Sequence, residues 1–250
     1  MMSMYDDLCC NEFSVLQRTI EHLFVDINIG CPYGLPYVAT FHQATFAPLN
    51  ERLMELFLAT GHRRNGNSLY CMRCSECSAC IPIRLHIDEF RASRNQKRAV
   101  KKNRDIETKL LPLRVSQENI DLCEDFLQVR YPRESNTARG YYRDFFFNSI
   151  VDSCQLQFRI DGRLIGTSII DYGNNWLNAV YFYFDPCEEH RSLGTYNIMC
   201  LVDLCRKWGI QYLYLGYLIC SVSSMSYKSN YRPHYLFIKE KWQSGKKIRS

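Results

Sequence analysis

The sequence predicts an α+β fold in two lobes, and three features of the 250 residues carry that expectation. Helical periodicity recurs in separate segments, strand-length apolar runs cluster in the C-terminal half, and a turn-rich, cysteine-bearing segment sits in the N-terminal third. A chain of this length buries one large core or two modest ones. The expected division is residues 1–110, a smaller cysteine-bearing α/β lobe, and residues 111–250.

Residues 49–60 are expected to form an amphipathic helix, with Leu53, Met54, Phe57 and Leu58 on one face and Gly61 closing it. Ile81, Ile83, Leu85 and Ile87 alternate with Pro82, Arg84 and His86 at strand period, the proline marking an edge or a strand start. Residues 117–129 read as a helix capped by Ser116 that buries Ile120, Cys123 and Phe126 or Leu127; the chain then breaks between Tyr131 and Asn136. Residues 155–160, a turn at Asp161 and Gly162, then residues 164–172 and 176–184 read as an antiparallel meander. A loop over 187–194, a helix over 195–208 and an apolar run over 212–219 follow. That strand, loop, helix, strand order is the core unit of acetyltransferase-like (GNAT) acyl-transfer folds. The loop from Arg191 to Tyr196 resembles a degenerate form of their phosphate-binding turn, where N–H groups at a helix N-terminus face the phosphates of the acyl carrier.

The hydrophobic share of 46% and charged share of 23% are those of an ordinary globular protein. No stretch approaches a membrane span, and Asp6 and Asp7 stand where a signal peptide requires positive charge, so a cytoplasmic location without membrane partners is expected. In that compartment most of the thirteen cysteines are expected to be reduced thiols, with Cys123, Cys154, Cys200 and Cys205 acting as small hydrophobes. The net charge is +5, yet Arg91, Arg94, Lys97, Arg98, Lys101, Lys102 and Arg104 supply seven positive charges with no acid between them. One segment therefore accounts for the positive balance, as in a nucleic-acid footprint. If it is helical, Arg94, Lys97, Arg98 and Lys101 line one face; a solvated basic helix that binds nothing specific has the same composition.

Cys71, Cys74, Cys77 and Cys80 follow one another at two-residue gaps in a polar segment with little apolar surface to bury them. A structural zinc or an iron–sulfur cluster is expected, and the spacing does not select between them. Four cysteines so close together rarely reach one metal, so Cys31 is a further candidate beside Cys74, Cys77 and Cys80, with Cys71 as an additional one.

With these residues in view the chain resembles the aminoacyl-tRNA–protein transferase family, especially the bacterial aspartate/glutamate leucyltransferases and more distantly the eukaryotic arginyl-tRNA–protein transferases. The similarity spans nearly the whole chain. It runs through Cys31-Pro32-Tyr33-Gly34-Leu35-Pro36, then Gly61-His62-Arg63-Arg64-Asn65-Gly66 with Leu69-Tyr70, and on through Cys74, Cys77, Cys80, Pro82 and Arg84 to Ser93-Arg94-Asn95-Gln96-Lys97-Arg98. In the C-terminal half it takes in Tyr183-Phe184-Asp185-Pro186, Arg191-Ser192-Leu193-Gly194-Thr195-Tyr196, Tyr212-Leu213-Tyr214-Leu215-Gly216-Tyr217, Met225-Ser226-Tyr227-Lys228 and Tyr231-Arg232-Pro233. Cys71, the stretch Tyr37-Val38-Ala39-Thr40 and residues 130–147 depart from the family pattern.

The resemblance implies a GNAT-like C-terminal lobe that moves an amino acid, leucine above all, from a charged tRNA to the α-amino group of proteins beginning with Asp or Glu, marking them for degradation. An aminoacyl ester is already activated, so no cofactor is required. The enzyme need only hold ester and amine together, keep the amine neutral and stabilise the tetrahedral oxyanion. Arg94, Lys97, Arg98, Lys101 and Arg191 are the candidate tRNA contacts, and Arg63, Arg64, Lys228 and Arg232 the candidate cations for the acidic acceptor. Asp185 could accept the amine proton and Tyr196 could donate to the leaving oxygen, although Asp185 before Pro186 also suits a simple turn. The alternatives are an arginyl donor, a non-catalytic tRNA-binding or redox-sensing protein with a metal or cluster at the cysteines, and an acetyl-CoA-dependent acetyltransferase.

Overall fold

The computed structural model describes residues 4–133 and 135–245. The chain divides into two compact units, Met1–Arg91 with Tyr214–Ser250, and Ala92–Leu213. The expected boundary at residue 110 therefore moves to 91, and the C-terminal segment belongs with the N-terminal one. The reason is a pairing: Tyr235 and Leu236 lie opposite Arg84 and Ile83 in an antiparallel ladder.

The first unit opens with helix α1 (Met4–Ile20), followed by β1 (Val25–Gly30), β2 (Val38–Thr45), α2 (Glu51–Ala59), β3 (Arg63–Asn65), β4 (Ser68–Met72) and β5 (Ile81–His86). Four of these strands form an antiparallel sheet in the order β1-β2-β4-β3. α2 is the helix expected from its apolar stripe, and the Asn50 side chain accepts from Leu53 N at its start. α1 has no comparable stripe, because its buried face is Asp6, Cys9 and Phe13. Asp6 is buried because Arg84 Nη2 donates to its Oδ1 at 2.6 Å; the Arg84 guanidinium also lies 4.2 Å from the centre of the Trp242 ring.

The second unit contains α3 (Arg94–Lys102), β6 (Glu107–Pro112), α4 (Gln117–Arg130), the short α5 (Ala138–Tyr141), β7 (Ser153–Ile160), β8 (Arg163–Tyr172), β9 (Trp176–Phe184) and α6 (Leu193–Trp208). β6, β7, β8 and β9 pair antiparallel in chain order. The expected meander, helix and following strand are present, while most of the expected loop over 187–194 is a 3-10 helix, Pro186–Arg191. β8 is buried on both faces, unlike a half-solvated antiparallel strand, and α4 packs against β8 and β9. The core joins Ile120, Phe126 and Leu127 of α4 to Tyr142, Phe146, Leu164, Ile169 and Tyr183. Within it Tyr142 and Tyr183 share a hydroxyl hydrogen bond, and Asn119 Nδ2 donates to Tyr183 OH at 3.0 Å, so the buried polar atoms are paired.

β10 (Tyr212–Leu218) returns the chain to the first unit, which then adds α7 (Ser223–Ser226), β11 (Tyr235–Ile238) and β12 (Lys241–Ser244). There the strand order is β12-β11-β5-β10. Among the described residues no helix is long and apolar enough to cross a membrane.

Candidate active site

In the first unit, the strand Tyr212–Leu218 carries a glycine among tyrosines, Tyr214-Leu215-Gly216-Tyr217. Gly216 has φ +82°, a conformation L side chains rarely adopt, so the strand's regular alternation is broken here. Two cations anchor on the successive carbonyls around this break. Arg63, the first residue of β3, donates from Nη2 to Gly216 O at 2.7 Å, and its guanidinium faces the rings of Tyr214 and Tyr217 at 5.8 and 5.6 Å. Lys228, in the turn after α7, donates from Nζ to Tyr217 O at 2.7 Å, with Met225 Sδ at 3.6 Å. A side chain at position 216 would begin 3.6 Å from Lys228 Nζ.

Both cations are buried, Arg63 at 4% exposure and Lys228 at 8%. Among the described residues neither forms an ion pair with a carboxylate. Arg63 Nε and the Tyr217 hydroxyl have no hydrogen-bond partner there. Burial pulls the Lys228 pKa down to about 7, the Arg63 charge pushes the same way, and Cys80 opposes them. Burial also lowers Arg63, with Tyr217, Tyr70, Tyr214 and Tyr33 opposing, but a guanidinium remains charged. Burial raises the phenols of Tyr33, Tyr70 and Tyr217. The result is a buried, tyrosine-lined cluster with two unpartnered donors and, among the described residues, no carboxylate paired with its cations, a charge balance that suits a carboxylate.

The cysteines border this cluster. Cys80 is pushed up to about 12, by burial first and then by Cys74, Cys31 and Cys77. These four thiols are therefore neighbours, whereas Cys71, on β4 opposite His42, has Arg73, Glu21 and Asp26 around it. Cys74 Sγ accepts from Thr40 N at 3.4 Å. As placed, no three His, Cys, Asp or Glu side chains among the described residues form a set that would hold a metal ion, and no chemical step below runs through one.

Of the other candidate acceptor cations, Arg64 is buried and donates to Gly66 O at 3.4 Å. Arg232 is half-buried, and its carbonyl accepts from Arg91 N. Sequence reasoning placed Tyr33, Tyr70, Gly216 and Tyr217 inside the blocks that carry the resemblance but gave none of them a role. A glycine inside an apolar strand run was the available signal, since it often marks a close approach to the backbone.

In the second unit, Ser93 and Gln96 form a reciprocal capping box that starts α3. Gln96 and Ala99 are buried, which leaves Arg94, Lys97, Arg98 and Lys101 exposed on the outer face. Asp185 accepts from Cys187 N at 2.9 Å and is ion-paired with Arg163. Arg191 bonds Asp105 and Glu188 at 3.0 and 2.8 Å. Hydrogen bonding to Asp105 and Glu188 raises the Arg191 pKa. Tyr196 is buried beside Cys200, packs on Phe158 with ring centres 5.7 Å apart, and has its phenol raised by burial. Asp185 and Arg191 thus already hold counter-charges, whereas among the described residues Arg94, Lys97, Arg98 and Lys101 of α3 are exposed without a carboxylate ion pair.

The family model for the N terminus of arginine-tRNA-protein transferase matches residues 30–98, and the one for its C terminus matches residues 118–238. An aspartate/glutamate leucyltransferase of Methylobacillus flagellatus is 36% identical over 208 residues, covering 82% of each chain. The leucyltransferase of the same name from Chromobacterium violaceum is 37% identical over 186 residues, covering 74% of this chain and 77% of that one. That of Hahella chejuensis is 33% identical over 202 residues, covering 78% and 85%. Among solved structures, L-PGS from Bacillus licheniformis superposes with a TM-score of 0.45 at 11% identity, covering 74% of this chain and 55% of that one, too distant to bear on function.

Proposed function

The chain belongs to the aminoacyl-tRNA–protein transferase family, and on that footing we propose that it moves leucine from leucyl-tRNA to the α-amino group of proteins beginning with Asp or Glu. The transfer would take place in the cytoplasm and mark its targets for degradation. Arg63 is the observation that carries the acceptor half of this reading: a guanidinium 4% exposed, held by carbonyls and tyrosine faces, with Nε unused. An acceptor carboxylate is the anion such a site lacks. The donor half is supported by the leucyltransferase names of the relatives, and the exposed face of α3 supports binding to the tRNA backbone through Arg94, Lys97, Arg98 and Lys101.

The amine attacks the ester carbonyl, the new C–N bond replaces the C–O bond to the terminal ribose, and the ribose oxygen leaves with a proton. Arg63 holds the acceptor's side-chain carboxylate and so positions its α-amine, and such positioning can lower the barrier by several kcal/mol. Among the groups of the second unit, Arg191 and Tyr196 remain proposed contacts of the donor's terminal ribose and its phosphate.

Competing labelled leucyl-tRNA and arginyl-tRNA against one another on a peptide beginning with Asp tests the donor. Incorporation of leucine alone supports the proposal. Arginine alone would assign the arginyl donor named by the family model, and tRNA binding without transfer would leave a non-catalytic binder.

A further inference from the structure

The four-stranded sheet of the first unit ends in two very different edges. A free edge invites pairing with another chain, and natural proteins blunt it with a very short strand, with lysine or proline, with a bulge, or with a covering loop or helix. β3, at one edge, is three residues long and holds the buried Arg63 and Arg64. β1, at the other edge, has no such protection. Its six residues include no lysine or proline, its register with β2 runs without a shift, and all six are exposed. Val25, Ile27 and Ile29 lie on one side of the strand, each between 41% and 57% exposed, so the open row is apolar. The one charge is Asp26, on the other side, where its Oδ1 lies 2.6 Å from His42 Nδ1.

The backbone decides which residues of β1 can pair outward. Cys31 N donates to Tyr37 O at 3.1 Å, and these two residues continue the ladder in which Val25, Ile27 and Ile29 lie opposite Gln43, Phe41 and Ala39. The odd residues of β1 therefore direct their N–H and C=O groups to β2. β2 agrees, since its even residue Thr40 accepts from Arg73 N on the side of β4. By the alternation of an antiparallel ladder, the N–H and C=O of Asp26, Asn28 and Gly30 point away from the sheet.

We propose that β1 pairs antiparallel with β1 of a second copy of this chain, about a two-fold axis at Ile27. The outward amides admit registers that set even residues opposite even residues. An axis at Asp26 would bring two carboxylates face to face, and an axis at Asn28 would put Val25 opposite Cys31, past the end of the strand. With the axis at Ile27, Asp26 exchanges both backbone hydrogen bonds with Asn28 of the second copy, an anion opposite a neutral amide. Val25 then faces Ile29 of the second copy and Ile27 faces its own equivalent. These are the non-hydrogen-bonded positions, with Cα atoms about 4.5 Å apart, where facing side chains come closest. The strand is thus complementary to itself in charge, in hydrogen bonding and in apolar contact. Such an isologous contact closes at two copies, and the combined sheet ends on both sides in the short β3.

The test is sedimentation velocity of the full chain between about 1 and 100 μM, joined to amide hydrogen exchange over the same range, with wild type, Ile27→Lys and Ile27→Glu. Wild type should approach twice the monomer mass as concentration rises, and the amides of Asp26 and Asn28 should gain protection in step. Each variant alone places like charges on the axis and should raise the dimer Kd about tenfold or more, whereas an equimolar mixture of the two should restore a dimer containing one of each, identified by native mass spectrometry. Wild type that stays monomeric throughout would overturn the proposal, including where β1 gains protection only when an acceptor peptide is added. So would a dimer whose β1 amides exchange as fast as in the monomer, or variants, folded by circular dichroism, that dimerise alone as well as wild type. If neither variant folds, the mass and the β1 protection of wild type decide between the same outcomes.

Discussion

Arg63 is the residue on which the proposed acceptor recognition turns. Arg63→Met keeps much of the side chain's length and removes the charge, so the fold should persist while kcat/KM for an Asp-initiated peptide falls by about 100-fold or more, mostly through KM. Steady-state kinetics on Asp and Ala peptides checks this, since the Ala peptide should be little affected. Asp185 invites the opposite expectation. It caps the turn that begins at Pro186 and pairs with Arg163, so Asp185→Asn, which keeps a capping oxygen, should leave the pH profile of transfer unchanged. A lost acidic limb in that variant would return Asp185 to the chemistry. The sequence named Arg63 as one of four candidate cations but could not rank them. Arg63, Arg64 and Lys228 are all buried, and what sets Arg63 and Lys228 apart is their anchorage on the carbonyls of Gly216 and Tyr217, the first of them 153 positions from Arg63.

At the scale of elements, α3 is a basic helix whose inner face is small and whose outer face is all cation. Replacing Arg94, Lys97, Arg98 and Lys101 by Gln should weaken tRNA binding and flatten its dependence on log salt by about 0.7 to 0.9 for each phosphate that is no longer neutralised. Filter binding across a salt series measures that slope. Ser93→Ala should cost about 1 kcal/mol by removing the helix cap, read as a shift of the denaturation midpoint. Elements with a strong local signal were legible from sequence: α2 from its apolar stripe, α4 from Ser116 and the Ile120, Cys123, Phe126 spacing, and β7, β8 and β9 from their turns. α1 was not, because one of its three buried residues is an acid whose burial depends on Arg84. β1 was passed over although Val25, Ile27 and Ile29 alternate with Asp26 and Asn28 at strand period; in the fold it is exposed along its whole length.

At the scale of the whole molecule, the chain leaves its first unit after Arg91 and comes back to it at Tyr214. Local pattern reading placed a boundary at residue 110, since nothing near position 91 announces that β11 will pair with β5. The return also brings Tyr217 and Lys228 to Arg63, so the cluster exists only once the first unit is complete. Lys228 makes a global prediction as well. Its folded pKa lies below the unfolded value, so between about pH 7 and 10 the unfolded chain binds more protons at this site, and its burial penalty, full below 7, is relieved as pH rises. Wild type should therefore gain about 2 kcal/mol relative to Lys228→Met as pH is raised from about 7 to 9, measured by denaturant midpoints of the two proteins side by side.

The central claim, that leucine is placed on an acidic N-terminus, is tested most directly by mass spectrometry of four peptides incubated with the protein and leucyl-tRNA, beginning with Asp, Glu, Asn and Gln. A mass increase of one leucyl residue at the α-amine of the Asp and Glu peptides, with Asn and Gln unchanged, is the predicted result. Equal modification of all four would contradict carboxylate recognition by Arg63, and no modification of any would contradict the transfer itself.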